Sequence, residues 1–305
     1  MITKLDQLIE KAQQLGPKRV AVAAAANGLV LKAIQRTQEL GFVQPLLVGR
    51  RDEILAEAEA IGYSVSEEHI VHTATKSETA PRAVELVRAG EADILMKGYL
   101  HTHTLLHAVI DSKAGLRTDH LVSHIFLMEV PTYHKLLAVT DAAINIQPDL
   151  PQKADIVQNA IDLMHQLGAE TPKVAALSSV ETVNPRIPST IDAACLHKMY
   201  ERNQITGAII DGPFAFDNAI SRQAALDKGF DSPVSGDADI LLAPDLDAGN
   251  ILSKNLEYLA HAQMAGIVMG ARVPIVLTSR SDPRGARTYS LALAVILAHQ
   301  PSIDD

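Results

Sequence analysis

The chain has 305 residues, of which 47% are hydrophobic and 21% charged, a composition typical of a globular protein large enough for two domains. Its 36 acidic residues outnumber 27 basic ones, and a net charge of −9 lacks the basic field that nucleic acid or an anionic membrane would require. The single cysteine, Cys195, excludes an intrachain disulfide framework and a cysteine-rich metal site.

The N-terminal segment is amphipathic and carries acidic residues, so it does not resemble a signal peptide. No apolar run reaches the length of about 18 residues that a membrane span needs. We therefore predict a cytoplasmic protein with neither membrane nor nucleic-acid partners.

Short β-branched runs alternate with helical periods along the whole chain. In the first half, strands are predicted at 18–26, 45–50, 69–74 and 92–98. In the second half, they are predicted at 136–141, 173–180, 207–216, 238–245 and 266–279. Helical periods separate most of these strands, which predicts the α/β class, with parallel-rich sheets flanked by helices.

The length and the element order predict two α/β domains. A proline-rich stretch at 145–153 is a plausible crossing point, and the last strand and helix would return to the first domain. We therefore predict a discontinuous first domain of 1–139 plus 271–305 and a second domain of 140–270.

Polar loops punctuated by glycine or proline follow six of the predicted strands. Ligands of open α/β sheets bind beyond the carboxyl ends of the strands, so these loops are candidates to line one cleft. They begin after Met96, Val139, Leu177, Ile210, Leu242 and Leu277.

The last of these loops places Ser279 and Arg280 directly after a strand. An arginine presents a rigid fork of donors that suits phosphate or carboxylate, and a serine hydroxyl adds a neutral donor. The alternative is a surface salt bridge together with a helix N-cap.

Other polar patterns allow both a functional and a structural interpretation. Asn27-Gly28 stands before a helix that could receive a phosphate, or it forms an ordinary βα turn. His103 and His107 are four residues apart, a spacing that can hold a metal, although a polar helix start explains them equally. Cys195 lies in a helical stretch among Ala and Leu and is predicted to be a buried small hydrophobe rather than a nucleophile.

Two loops near the end of the second domain are rich in carboxylates. They could form a Mg²⁺ cage, or the aspartates could order tight turns. The residues concerned are Asp211, Asp217, Asp237, Asp239, Asp245 and Asp247. We predict no bound metal.

Several stretches, in order and spanning roughly residues 40–295, resemble the phosphate acetyl/butyryltransferase family. They are LLVGRRDEI, ILMKGYLHT, TDAAINIQPDLPQK, SSVETVNPRIPSTIDAA, DGPFAFDNAIS, APDLDAGNILSKNLEYLA and VLTSRSD. The forms VNPRIPSTIDAA and IVLTSRSD look closer to the butyryltransferase branch.

The resemblance implies a reversible reaction in which acyl-CoA and phosphate give acyl phosphate and CoA. The resemblance also implies that the acyl group is acetyl or butyryl, and that it is transferred by direct attack through a tetrahedral intermediate. It also implies an active-site cleft between the two domains, a homodimer, and no tightly bound cofactor, with coenzyme A acting as substrate.

The same resemblance assigns roles to the serine-arginine pair. Ser279 would donate to the developing oxyanion or the leaving thiolate, and Arg280 would hold phosphate. In the phosphotransacetylase branch, acidic residues follow this pair at positions that are not reproduced here. Asp282 is the nearest carboxylate and could be the base or only orient Arg280.

Further substrate-binding residues are predicted in the other loops. Arg117 is a candidate second phosphate clamp, and Lys97 and Thr102 would line the same pocket. Asp245 and Asn250 would order the facing domain.

Two other functions fit the pattern less well. A non-catalytic relative that senses acyl-CoA would keep the fold, as the C-terminal domains of some malic enzymes do. An oxidoreductase similar to isocitrate dehydrogenase would need a metal-binding set of aspartates, for which 237–247 is the candidate region.

Overall fold

The computed structural model describes residues 1–278 and 285–299, which form two compact units. The first, here called the outer unit, comprises Asp6–His120 and the chain from Ala265 onward. The second, the central unit, comprises Met1–Leu5 and Leu121–Met264. Within the described ranges, no helix has both the length and the apolar character that crossing a membrane demands.

The outer unit begins with alternating helices and strands. These are α1 (Asp6–Leu15), β1 (Lys18–Ala23), α2 (Gly28–Glu39), β2 (Val43–Gly49), α3 (Arg51–Ala60), β3 (Ile70–His72), α4 (Thr79–Arg88), β4 (Ile94–Lys97) and α5 (Thr102–Val109).

The central unit follows the same alternation after one antiparallel strand. Its elements are β5 (Ser123–Glu129), β6 (Leu137–Thr140), α6 (Leu150–Gln166), β7 (Lys173–Leu177), α7 (Pro188–Glu201), β8 (Ile209–Phe214), α8 (Phe216–Ile220), α9 (Arg222–Asp227), β9 (Ile240–Leu242) and α10 (Leu246–Tyr258).

The chain then returns to the outer unit through three elements. These are β10 (Gln263–Met269, in the outer unit from Ala265), β11 (Ile275–Val276) and α11 (Ala286–Ala298). α11 packs against α1 and α2, and it is buried almost continuously from Ser290 to Leu297. An apolar surface on all sides is typical of a helix that lies inside a core.

The strand order in the outer unit is β3-β2-β1-β4-β11-β10. All described pairs there are parallel except β10 with β11. In the central unit the order is β5-β6-β9-β7-β8, and only the β5–β6 pair is antiparallel. The predicted α/β class, with mostly parallel sheets and flanking helices, is therefore confirmed.

The two units divide between residues 120 and 121 and between 264 and 265, not at the predicted 139/140 and 270/271. The reason is β5, a strand that the sequence analysis did not recognise. β5 is buried along most of its length and pairs with β6, so it belongs to the central unit. The domain bounds 1–139 plus 271–305 and 140–270 stay a prediction, as does a cleft between the two domains.

Charged side chains join the amino ends of neighbouring parallel strands. In the outer unit, Arg19 of β1 binds the Asp93 carboxylate with two side-chain donors, at 3.1 and 2.7 Å. Burial alone would raise the pKa of the Asp93 carboxyl, but its hydrogen bonds to Arg19 outweigh that effect and lower it.

A larger ion-pair group joins β6, β7 and β9 at their amino ends. The Asp237 carboxylate lies 2.9 Å from Lys135 Nζ, 2.6 Å from Lys173 Nζ and 2.8 Å from His134 Nε2. Lys135 also contacts Asp239, at 2.9 Å. Burial would raise the pKa of the Asp237 carboxyl, but hydrogen bonds to Lys173, Lys135 and His134 hold it well below its usual range.

We expect Asp237→Asn to lower the free energy of unfolding by about 1 kcal/mol near neutral pH, since Asp237 is partly exposed and its pairs are screened. Because folding lowers the pKa of the Asp237 carboxyl, the ionised carboxylate stabilises the folded state. This stabilisation is complete above the unfolded pKa of about 3.9 and is lost as pH falls toward the folded pKa. The gap between wild type and variant should therefore shrink below about pH 4. Urea unfolding across this pH range measures the difference in the free energy of unfolding between wild type and variant.

Asp231→Asn is the matched control, because it removes the same charge from one exposed ion pair with Arg222. It should change stability by less than about 0.5 kcal/mol. A gap for Asp237→Asn that stays constant as pH falls would contradict the electrostatic explanation.

Candidate functional site

In the outer unit, β1, β4 and β11 are adjacent parallel strands that end at the same sheet edge. The register pairs Ala23 of β1 with Lys97 of β4, and Met96 of β4 with Val276 of β11. The loops that follow these strands therefore start side by side. The segment containing Lys97 lies at this edge, and the chain that follows β11 is described there as far as Thr278.

The loop after β4 lies tightly against the end of β1. The Gly98 and Tyr99 amides donate to the Ala23 and Ala24 carbonyls, both at 2.8 Å. A Cβ on Gly98 would lie 2.3 Å from the Ala24 carbonyl oxygen, so only glycine fits there. The motif MKGYLHT thus owes its glycine to this close approach.

Lys97 is the last residue of β4 and is only 7% exposed. Its Nζ lies 3.4 Å from the Leu100 carbonyl oxygen, so the side chain turns toward the loop that follows it. Thr102 begins α5 at the far end of the same loop and is half-buried. The structure therefore brings Lys97 and Thr102 to the carboxyl edge, as residues of one short loop.

Arg117 lies elsewhere in the outer unit. Its backbone forms an isolated antiparallel bridge with Ala271, in the turn that precedes β11. That turn lies at the amino end of β11, whereas Lys97 lies at the carboxyl end of the parallel strand β4. Within this unit, Arg117 is therefore not grouped with Lys97 and Thr102, and its role as a phosphate clamp stays a prediction.

Asp245 and Asn250 lie in the central unit, on α10. Asp245 is the N-cap of α10, and its side chain accepts from the Ala248 amide at 2.9 Å. Asn250 Nδ2 donates to the Ala142 carbonyl at 3.1 Å, which ties α10 to the loop after β6. Both side chains order this edge of the central sheet, and a contact with substrate stays a prediction.

The loop after β6 is organised by Asp141. This residue lies in the stretch TDAAIN but was not among the predicted site residues. Asp141 is 3% exposed. Oδ1 accepts from the Ala143 and Ile144 amides, at 2.8 and 3.0 Å. Oδ2 accepts from Asn145 Nδ2 at 2.6 Å and from the His124 amide at 3.2 Å.

Ser279, Arg280 and Asp282 lie outside the described residues. The chain before them is described up to Thr278, which is 4% exposed. The roles of these three residues therefore stay predictions. Asp282 as base is the least supported of them, since the family pattern of acidic residues is not reproduced.

The aspartates proposed as a Mg²⁺ cage are divided between two edges of the central sheet. Asp237 and Asp239 precede β9 and bind lysines, whereas Asp245 and Asp247 follow β9. Asp217 pairs with Lys228, which lowers the pKa of the Asp217 carboxyl. Across residues 1–278 and 285–299, no three His, Cys, Asp or Glu side chains are grouped so as to hold a metal.

Asn27 and Cys195 are the next candidates. Asn27 is the N-cap of α2 and accepts from the Leu29 and Val30 amides, which is the ordinary βα-turn arrangement. Cys195 lies within α7 as predicted, but it is half-buried rather than fully buried.

Comparison with known proteins agrees with this architecture. The structure superposes on the crystal structure of a branched-chain phosphotransacylase from Enterococcus faecalis V583 with a TM-score of 0.81, at 33% sequence identity. The alignment covers 93% of this chain and 99% of that one. The fold is therefore that of the phosphotransacylases.

The sequence identifies the family. Residues 65–295 match the family model described as "Phosphate acetyl/butaryl transferase". A phosphate acetyltransferase from Rhizobium meliloti is 49% identical over 97% of this chain and 94% of its own length. A phosphate butyryltransferase from Clostridium acetobutylicum is 42% identical over 98% of this chain and 99% of its own. The chain belongs to the phosphate acetyl/butyryltransferase family.

We expect Asp141→Asn to destabilise the protein by about 2 kcal/mol or more, because its new NH₂ group would face N–H donors in a buried site. Chemical unfolding monitored by circular dichroism measures this loss. Asp149→Asn is the matched control. Asp149 is the N-cap of α6, and asparagine caps helices about as well as aspartate. Equal stability of the two variants would contradict the role given to Asp141.

Proposed function

We propose that the protein transfers a short acyl group, acetyl or butyryl, reversibly between coenzyme A and inorganic phosphate. Family membership supports the reaction, because both a phosphate acetyltransferase and a phosphate butyryltransferase align over nearly their whole length. The observation that carries the assignment of the site is the register of β4 and β11. It brings the segment before Ser279-Arg280 beside the buried Lys97.

The proposed chemistry needs no covalent enzyme intermediate. A phosphate oxygen attacks the thioester carbonyl, a tetrahedral intermediate forms, and the C–S bond breaks to release CoA thiolate, which then takes a proton. Ser279 donates to the developing negative charge and Arg280 holds the phosphate. Donors aimed at a developing oxyanion are usually a large part of such catalysis. In the reverse direction, a positive environment favours the thiolate, because a free thiol has a pKa of about 8.5.

Lys97 supplies positive charge at the same edge. Positive charge beside the reacting groups favours a bound phosphate or a thiolate. Asp282 is the proposed base or the residue that orients Arg280. The same proposal includes three further points: CoA is a substrate rather than a resident cofactor, the protein is a homodimer, and it is cytoplasmic. These points rest on the family alone.

The test of the reaction is a thiol-release assay on the full chain with phosphate and acetyl-, propionyl- or butyryl-CoA. We expect release of free CoA that depends on phosphate, and the order of the rates gives the acyl preference. If CoA binds but no acyl-CoA is cleaved, the reaction is disproved and an acyl-CoA sensor is favoured.

A second test concerns the serine-arginine pair. Arg280→Ala should lower kcat/KM by a factor on the order of 10² or more, since in the proposed mechanism it removes the side chain that holds the reacting phosphate. Arg272→Ala is the control, because Arg272 is exposed near the amino end of β11. Turnover by Arg280→Ala equal to that of the control would remove Arg280 from the mechanism.

A further inference from the structure

A groove of about 870 Å³ lies in the outer unit, between α4 and α5. α4 forms one wall, α5 and the turn after it form the other, and the chain that follows β3 closes one end. Neither Lys97 nor Thr102 lines this groove, so it differs from the part of the carboxyl edge where we propose the reaction. A volume of this size is typical of sites that bind small organic molecules.

Much of the lining is apolar. Pro81 and Val84 of α4 contribute to it, as does Ala108 of α5. The lining residues of α4 extend from Pro81 to Arg88, which is about 10 Å along the helix axis at a rise of about 1.5 Å per residue. Because burial of apolar surface is favourable, this lining favours a ligand with a hydrocarbon body.

The carboxylates that line the groove already have partners. Glu85 accepts from Arg82 at 2.6 Å, and Glu78 accepts from the Ala74 amide at 2.9 Å. Asp111 Oδ1 accepts from two backbone amides, at 2.9 and 2.7 Å, and these hydrogen bonds lower the pKa of the Asp111 carboxyl. A cationic ligand would therefore have to compete with the partners that these acids already hold.

Arg88 is the cation that the groove leaves available. It lies in the last turn of α4 and is exposed, and its side chain has no hydrogen bond or ion pair with any residue of 1–278 or 285–299. A guanidinium binds a carboxylate through two parallel hydrogen bonds. The three lining carboxylates and the negative end of the α4 dipole favour a ligand with a single negative charge over a phosphate monoester, which carries nearly two.

We propose that the groove between α4 and α5 binds an organic monocarboxylate. The carboxylate binds Arg88, and the hydrocarbon body packs against Pro81, Val84 and Ala108. The groove is a second ligand site of the outer unit, and its assignment does not depend on the proposed transferase reaction, because every residue that carries it lies on α4 or α5.

The first experiment measures binding of octanoate by titration calorimetry on the full chain, since octanoate joins one carboxylate to an apolar chain. We expect saturable binding by the wild type. In Arg88→Ala, the Kd for octanoate should rise about 10-fold or more, because charged hydrogen bonds to the carboxylate are lost. 1-Octanol, which lacks the carboxylate, should bind the wild type more weakly than octanoate. Tighter binding of octyl phosphate than of octanoate would overturn the assignment to a carboxylate.

Arg36→Ala is the matched control, because Arg36 is an exposed arginine in the last turn of α2, as Arg88 is in the last turn of α4. The two variants lose the same charge at the same place in a helix. Equal octanoate affinity in both, or the absence of saturable binding by the wild type, would overturn the proposal.

The second experiment fills the groove. Ala108→Leu adds bulk to the α5 wall and should weaken octanoate binding, whereas Ala56→Leu adds the same side chain at an exposed position of α3 and should not. Circular dichroism checks that both variants fold. Equal octanoate affinity in the two folded variants would overturn the packing of the ligand against α5.

The third experiment separates this groove from the reaction site. We expect saturating CoA to leave the Kd for octanoate unchanged. Displacement of octanoate by CoA would place octanoate in the substrate site and overturn the proposal. The thiol-release assay can fail while octanoate binding still depends on Arg88, so the failure of the proposed function and the failure of this inference are distinguishable.

Discussion

Parallel pairing of β1 with β2 on one side and with β4 on the other is the constraint on which the outer unit depends. Parallel strands require crossovers, and the crossovers here are helices that cover the sheet. Because β1, β2, β3, β4 and β11 run in one direction, every loop that follows them emerges at the same edge. Gly98 shows how little space this leaves, since the loop after β4 touches the β1 backbone. The proposal of a site at that edge therefore follows from strand direction.

The two edges of each sheet carry different kinds of polar residue. At the amino edges, charges are paired with one another, as in Arg19 with Asp93 and Asp237 with Lys135 and Lys173. At the carboxyl edges, side chains such as Asp141 and Asn250 hold loop backbone, and Lys97 faces its own loop. This difference explains why the aspartates on either side of β9 do not form one acidic cluster. Aspartates close together in the chain lie on either side of β9 and serve unrelated purposes.

The α/β class and most helices and strands could be predicted from the sequence, because β-branched runs and helical periods alternate clearly. β5 could not, since its antiparallel pairing with β6 interrupts the βα order and no helix separates the two strands. The positions of the candidate site residues could be predicted only in part. Lys97 ends a recognisable strand and Thr102 follows it, but the placement of Arg117 depends on a bridge to Ala271, more than 150 residues away in the chain.

The return of the chain to the outer unit after Met264 has a consequence for the order of events during synthesis. A ribosome that has translated the first 264 residues has supplied all of the central unit, but an outer unit without β11, α11 and most of β10. β11 is an interior strand, lying between β4 and β10, and α11 is a core helix. The outer sheet must therefore wait with an unpaired β4 edge until β11 emerges. Such an edge can pair wrongly with other strands, so the nascent chain stays exposed to aggregation until β11 and α11 have been made.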